Sequence, residues 1–269
     1  MTNSVGPFSP NKGGVRPQTQ FIILHYTVGR PMSAVRNHFM DPTSKVSCHY
    51  MIDEGGVQDQ IVEEDRVAWH AGVSDWDGWA AKFPGADTLN PAAIGIELVY
   101  VPNETENLMN KMLAPDADLE AMFPPFPDAQ MDQLKKLVLG LQEKYGILNR
   151  HILGHNDIAV GRKQDPGAAF PWGRFRENGW GLYSLLPKEN RHGQIQRWQD
   201  FYEKTPPSDQ QLDTWIQKIG YRYMGHVSAV IERKAAMLTF RAHMGDGFRQ
   251  KPDSFVWACL HLCAAAAAS

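Results

Sequence analysis

A polar stretch in the middle of the chain, GHNDIAVGRKQDPG (residues 154–167), constrains the fold more than any other segment. It is too polar for a core strand, and its glycines and proline interrupt a helix, so we predict a shaped loop that presents side chains. Lys163 and Asp165 are two positions apart and point to the same side of an extended segment. His155 lies far enough from Asp165 for the loop to bring them together. A metal or acid–base site fits this composition, and a surface loop with a salt bridge is the alternative.

Two apolar segments earlier in the chain predict buried β-strands, and each carries a residue suited to chemistry. TQFIILHYT (residues 19–27) has four consecutive apolar residues before His25, and AIGIELVYV (residues 93–101) has Glu97 as its single charge. Short apolar runs of this kind are typical of strands that are buried on both faces. Further strands are expected at residues 46–53, 57–62 and 151–154, and helices at residues 31–40, 108–113 and 128–145.

The whole chain is of a size and composition that narrow its class. Its 269 residues suit one domain of moderate size, or one domain with a small appendage. A formal net charge of −3 gives no electrostatic reason to expect a nucleic acid partner. No run approaches the roughly 18 apolar residues that span a bilayer, so we expect no transmembrane segment. Three cysteines cannot form a disulfide framework, and we expect each to be a small buried hydrophobe.

A domain boundary is predicted at Thr205–Pro207, which divides the chain into residues 1–204 and residues 205–269. Beyond it, Ser208 or Asp209 can cap the first of three expected helices. The second part is therefore predicted to be a small helical module. Its simplest role is that of a stabilising appendage.

The ligands for a metal are distributed between the loop and the first apolar strand. His25 ends that strand, while His155 and Asp165 belong to the loop. Two imidazoles and one carboxylate leave the fourth tetrahedral position of Zn²⁺ free for water, as in catalytic zinc sites. Zinc lowers the pKa of a bound water to about 7 and polarises carbonyl groups. We therefore predict one Zn²⁺ per chain, with a buried core histidine as the alternative for each imidazole.

Hydrolysis at such a site needs a base and a cation. Glu97 suits the base, because burial in an apolar strand raises a carboxyl pKa toward neutrality. Lys163 suits the cation that stabilises an oxyanion. Two alternatives stay open: Glu97 as a structural carboxylate bonded to backbone, and Lys163 as the partner of Asp165 or Asp157.

Five segments in this order resemble the zinc-dependent N-acetylmuramoyl-L-alanine amidases of the type-2 family: FIILHYT, SCHYMIDEGG, EEDRVAWHAG, IGIEL and GHNDIAVGRKQDPG. That family includes AmpD-like enzymes, phage amidases and peptidoglycan-recognition proteins. The resemblance covers roughly residues 19–176 and implies an α/β fold, with a central mixed β-sheet flanked by helices and zinc in a surface groove. The site residues it implies are the zinc ligands His25, His155 and Asp165, the base Glu97 and the oxyanion-stabilising Lys163.

The same motifs imply contacts with the substrate. Trp69 and His70 belong to a motif that lines the groove of the family, and Tyr50 stands where some relatives place a zinc-site tyrosine. Asn156 is expected either to orient His155 or to cap the loop. With Asn156 included, the predicted substrate contacts are Tyr50, Trp69, His70 and Asn156.

The resemblance implies zinc-dependent hydrolysis of the amide bond between N-acetylmuramic acid and the L-alanine of the peptidoglycan stem peptide. One alternative is a non-catalytic peptidoglycan-recognition module, and another is a recycling amidase restricted to anhydro-muropeptides. The expected partners are peptidoglycan or muropeptides. QLDTWIQKIGY (residues 211–221) loosely resembles a three-helix peptidoglycan-binding module.

The N-terminus has no apolar segment of the kind that a secretion signal contains, so its sequence leaves the cellular location open. The helical module favours the periplasm or cell envelope, with the cytoplasm as the alternative. If the protein is a secreted effector, an immunity protein is an expected partner.

Overall fold

Within the residues that the structure describes, five strands form the mixed β-sheet that carries the candidate site. The structure is a computed structural model that describes residues 6–83, 85, 87–114, 116–245 and 253–267. Its strands are β1 (Lys12–Val15), β2 (Phe21–Tyr26), β3 (Tyr50–Ile52), β4 (Gln58–Gln60), β5 (Arg66–Ala68), β6 (Ala93–Leu98) and β7 (Ile152–Gly154). The sheet has the order β4–β3–β6–β2–β7, in which β4 alone is antiparallel to its neighbour. β1 and β5 form a separate antiparallel pair.

Helices flank this sheet, as the family resemblance implied. Within the described residues they are α1 (Met32–Met40), α2 (Leu108–Met112), α3 (Leu119–Met122), α4 (Asp128–Tyr145), α5 (His155–Ile158), α6 (Arg191–Lys204), α7 (Asp209–Ile219), α8 (Ala229–Met244) and α9 (Asp253–Ala267). None of these helices combines the length and the apolar character needed to cross a membrane. The mixed sheet flanked by helices is thus confirmed.

The two faces of the sheet are covered by different parts of the chain. Side chains alternate along a strand, so Ile22 and Leu24 of β2 point to the face that α4 covers. Phe21 and Ile23 point to the opposite face, where they join a hydrophobic cluster with the C-terminal helices. His25 follows on that second face, at the end of β2. The C-terminal helices thus bury the beginning of the strand and leave its end free to form a site.

The C-terminal helices pack on one another and on the sheet. Ser208 caps α7, and its side chain and that of Gln211 bond reciprocally to backbone amides, which confirms the predicted helix start. Phe240 and Cys259 belong to the same hydrophobic cluster as Phe21 and Leu153. The cluster therefore crosses the predicted boundary at residue 205. The division into residues 1–204 and 205–269 stays a prediction.

Several features differ from the expectations or were not foreseen. The stretch 154–167 is not loop throughout, because α5 makes one helical turn at its start. Asp157 Oδ2 accepts the backbone N–H of Gly154 at 2.7 Å and so satisfies a donor at the beginning of that turn. The helices α3 and α6 and the strands β1 and β5 were not predicted. The three cysteines are buried, as expected.

Candidate active site

The register of two parallel strands places His25 beside Glu97. β2 and β6 pair residue for residue, with His25 opposite Glu97 and Phe21 opposite Ala93. Both side chains therefore stand on the same face of the sheet, at the ends of their strands. The two isolated polar residues of the apolar segments meet at one place.

The loop that begins with α5 brings two more groups to this place. The backbone N–H of Asn156 donates to the carbonyl of Asp165 at 2.9 Å, which joins the two ends of the loop. His25 Nδ1, His155 Nδ1 and Asp165 Oδ2 lie 3.0 Å from one another. All three residues are buried and form a cluster able to hold a metal ion.

The proton positions around this cluster fit a metal site better than a hydrogen-bonded one. His155 Nε2 lies 2.9 Å from the carbonyl of Ala71, which can only accept, so this nitrogen carries a proton. A neutral His155 then turns the lone pair of Nδ1 toward His25 and Asp165. Without a metal, a single proton on His25 Nδ1 would have to serve all three contacts among these atoms. A cation bound between the three atoms would instead attract each of them. The ligand atoms of a tetrahedral zinc ion lie about 3.3 Å apart, close to the distances observed.

The charge states of the cluster also suit metal ligation. Burial, together with the neighbouring His155, lowers the pKa of His25 to about 4, so this imidazole is neutral at pH 7. Burial alone would raise the pKa of Asp165. The facing imidazole nitrogens of His155 and His25 outweigh that effect and hold its pKa well below the usual range. Neutral imidazole and ionised carboxylate are the forms that bind metal.

Glu97 is a buried carboxyl group next to the cluster. Its Oε2 is shielded from solvent and has no partner among the described residues. Burial, helped by the charge of Asp165 and opposed by Lys163, raises the pKa of Glu97 to about 8. A carboxyl with a pKa near neutrality can take up and release a proton during turnover.

The two carboxylates considered as alternative partners of Lys163, those of Asp165 and Asp157, pair with histidines. Within the described residues, Asp165 pairs with His25 and His155, and Asp157 pairs with His243. Lys163 instead lines the cavity into which the cluster faces.

That cavity has a volume of about 520 Å³ and lies between α1 and the segment that follows β6. Trp69 and His70 line it. His70 Nδ1 lies 3.0 Å from His25 Nε2, so it can accept the proton that leaves His25 Nδ1 free for a metal. His70 thus contacts a candidate ligand as well as the cavity.

Tyr50 and Asn156 are not brought to this cavity. Tyr50 pairs with Ile96 in the sheet and so faces away from Glu97. Its hydroxyl donates to Glu64. Asn156 contributes the backbone bond to Asp165, and its side chain is not among the groups that line the cavity.

Two supporting residues were missed from the sequence. Asn90 Oδ1 accepts the backbone N–H groups of His70 and Ala71 at 3.2 and 2.8 Å. Arg162 Nη2 donates to the carbonyls of Ala71 and Val73, both at 2.7 Å. Both hold the segment whose carbonyl bonds His155. The position of Arg162 beside Lys163, in a loop with two candidate ligands, was the only sequence signal.

Comparison with known proteins identifies a family. Residues 15–168 match the family model described as N-acetylmuramoyl-L-alanine amidase (Amidase_2). The amidase AmiD of Escherichia coli K12 is 30% identical over 181 residues, which are 65% of this chain and 58% of that protein. The 1,6-anhydro-N-acetylmuramyl-L-alanine amidase AmpD of the same organism is 36% identical over 132 residues, 49% of this chain and 57% of its own length. The chain thus spans somewhat over half the length of these curated relatives.

Solved structures extend the likeness over nearly the whole chain. AmpDh3 from Pseudomonas aeruginosa, in complex with anhydromuramic pentapeptide, superimposes with a TM-score of 0.66 and 26% identity. The match covers 97% of this chain and 95% of that one. E. coli AmiD, in complex with the substrate anhydro-N-acetylmuramic acid-L-Ala-D-gamma-Glu-L-Lys, has a TM-score of 0.69 at 24% identity, over 92% of this chain and 89% of its own, and shares the fold.

Proposed function

This chain belongs to the N-acetylmuramoyl-L-alanine amidase family, and we propose that it hydrolyses the amide bond between N-acetylmuramic acid and the L-alanine of the peptidoglycan stem peptide. The observation that carries the proposal is the cluster of His25, His155 and Asp165 beside Glu97, at the base of a cavity. The relatives with substrates bound support muropeptides as its ligands.

The three clustered residues are the proposed ligands of one Zn²⁺ per chain. Two imidazole nitrogens and one carboxylate oxygen suit zinc and leave a position for a water or a substrate oxygen. When bound, zinc acidifies water and acts as a Lewis acid toward a carbonyl group. His70 and the carbonyl of Ala71 hold the outer nitrogens of His25 and His155, which orients both rings.

Glu97 is the proposed general base. Its carboxylate takes the proton of the attacking water and passes it to the nitrogen of the leaving L-alanine. Lys163 places a positive charge in the same cavity, where it stabilises the oxyanion that develops on the carbonyl oxygen. Trp69 and His70 are the proposed substrate contacts. Tyr50 and Asn156 are left out of this set, because their side chains lie outside the cavity.

The presence of all three ligands together with Glu97 supports catalysis over a non-catalytic recognition module. Restriction to anhydro-muropeptides stays an alternative within the same chemistry. Residues 205–269 are proposed to form a peptidoglycan-binding module. The periplasm or cell envelope is the proposed location, with the cytoplasm as the alternative. The immunity protein of a secreted effector stays a prediction.

Digestion of muropeptides followed by mass analysis tests the proposal. The wild-type protein is expected to release free stem peptides that begin with L-alanine. Glu97→Ala is expected to retain its zinc and lose the activity, because the ligands are intact and the base is gone. Full activity in Glu97→Ala would refute the base, and intact muropeptides after digestion with the zinc-loaded wild type would refute the activity.

A further inference from the structure

Asp157 is a fully buried carboxylate in the helical turn that carries His155. Its Oδ2 accepts the backbone N–H of Gly154 at 2.7 Å, and so holds the residue immediately before His155. Its Oδ1 accepts the hydroxyl of Tyr221 at 2.7 Å, and its Oδ2 also accepts Nε2–H of His243 at 2.9 Å. The exposed fraction of both Asp157 and His243 is 0%. Three donors from separate parts of the chain therefore converge on one carboxylate.

Two of these donors come from the C-terminal helices. Tyr221 follows α7, and His243 lies near the end of α8. Neither residue lines the cavity that holds Glu97. The C-terminal part of the chain thus contacts the turn that carries His155 through two side chains that do not line the cavity.

His243 is held in one orientation. Its Nδ1 accepts the backbone N–H of Leu182 at 3.3 Å, so the proton of a neutral ring is on Nε2, which faces Asp157. The ring centroid of Trp172 is 3.8 Å away. A Cβ atom on Gly181 would lie 2.4 Å from His243 Nδ1, so the ring packs directly against the backbone there.

Tyr221 is equally constrained. It is fully buried, and its ring meets that of Trp76 edge to face with 4.9 Å between centroids. Because packing already fixes the ring of Tyr221, its hydroxyl bonds to Asp157 with little further loss of side-chain freedom. Such supports behind a metal ligand orient it, and their removal typically costs about 10–100-fold in metal affinity.

We propose that Tyr221 and His243 are positioning residues for His155, so that the C-terminal helices are a structural part of the metal site. The inference rests on the proposed function, because it takes His155 as a ligand. Asp157 transmits the position of these helices to the turn from Gly154 to His155. The helical module then has a role at the catalytic centre that is independent of any binding of peptidoglycan by its outer surface.

The dissociation constant for Zn²⁺, measured by competition with a chelator on the full chain, tests this proposal. Tyr221→Phe removes only the hydroxyl, and we expect it to weaken zinc binding about tenfold. Tyr223→Phe is the matched control, because Tyr223 also donates to a carboxylate at 2.7 Å, that of Asp213, but has no bond to the metal-binding turn. We expect zinc affinity to be unchanged in the control, while both variants lower the stability of the metal-free protein.

A second pair of variants tests His243. His243→Gln keeps an N–H group near the position of Nε2, whereas His243→Leu removes it. Zinc affinity is expected to fall in the leucine variant and to be partly restored in the glutamine variant. If His243→Leu fails to fold, the two tyrosine variants decide the matter.

The outcomes separate this proposal from the proposed function. Equal zinc affinity in wild type, Tyr221→Phe and Tyr223→Phe would overturn the positioning role and leave the amidase proposal standing. An equal loss of affinity in both tyrosine variants would show general softening and would also overturn it. A wild-type protein that binds no zinc would overturn the proposed function itself.

Discussion

At the scale of single residues, the site depends on which side of a strand each side chain faces. His25 and Glu97 are both foreseeable as the isolated polar groups of apolar strands, and the register of β2 with β6 brings them together. Tyr50 was expected at the site, but its position in register with Ile96 turns it to the other face. Tyr221 and His243 were not foreseeable, because their bonds to Asp157 join parts of the chain 64 and 86 residues apart.

The pKa of Glu97 predicts a pH dependence for the stability of the metal-free protein. The folded chain keeps this carboxyl protonated up to about pH 8, whereas in the unfolded chain its pKa is about 4.3. Between these values the folded state binds more protons, so the contribution of Glu97 to the unfolding free energy falls as pH rises. Glu97→Gln is expected to remove this slope and to be more stable than wild type above pH 8. Urea unfolding across this range measures it, and parallel profiles would contradict the raised pKa.

Gly95 is predicted to be required for the position of His70. A Cβ atom at residue 95 would lie 2.4 Å from Cγ of the His70 ring, which bonds His25. Gly95→Ala is expected to lower the unfolding free energy by about 1–3 kcal/mol and to weaken zinc binding. Gly140→Ala, on the exposed side of α4, is the control and is expected to raise stability by about 1 kcal/mol. Unchanged zinc affinity in Gly95→Ala would contradict the role assigned to His70.

At the scale of elements, a helix with a strong apolar periodicity could be predicted from the sequence, whereas one with a weak apolar periodicity could not. α4 spans Asp128–Tyr145, as its apolar spacing predicted. α6 was missed because only Ile195 and Tyr202 are buried on it, too few to produce a recognisable pattern. It packs on α9, where the ring of His261 lies tilted against that of Trp198, with 3.9 Å between the ring centroids. Such contacts across the fold do not leave a local signal.

The helix α4 ends at Gly146, whose conformation depends on its being a glycine. Gly146 has a φ of 66°, in the left-handed region that glycine adopts without strain. Gly146→Ala is expected to lower the unfolding free energy by about 1 kcal/mol, and Gly146→Asn by less, because asparagine tolerates this conformation better. Thermal or urea unfolding of the two variants provides the comparison. The reverse order of stability would contradict this account of the helix end.

At the scale of the whole molecule, the C-terminal helices are joined to residues 1–204 by more than a linker. Phe240 and Cys259 share a hydrophobic cluster with Phe21 and Leu153 of the sheet, and Tyr221 and His243 bond to Asp157. The boundary at residue 205 was predicted from Thr205–Pro207 and from helix caps, which report local structure only. Contacts across the boundary depend on how the parts pack, which a linear sequence does not state.

Truncation after residue 204 tests this coupling. Removal of α7, α8 and α9 exposes part of the cluster around Phe21 and Leu153 and takes two donors from Asp157. We expect the truncated chain to be markedly less stable than the full chain and to bind zinc more weakly, as measured by circular dichroism and by chelator competition. A truncated chain that folds with the stability and zinc affinity of the full chain would show that the two parts are independent.

In the proposed function, one zinc ion held by His25, His155 and Asp165 supports amide hydrolysis with Glu97. The most direct test of this proposal is the titration of Zn²⁺ into chelator-treated protein while the release of stem peptide from a muropeptide is followed. We expect no activity without zinc, a linear rise up to one Zn²⁺ per chain and then a plateau, with no recovery in His25→Ala. Full activity in the zinc-free protein, or recovery in His25→Ala equal to that of the wild type, would contradict it.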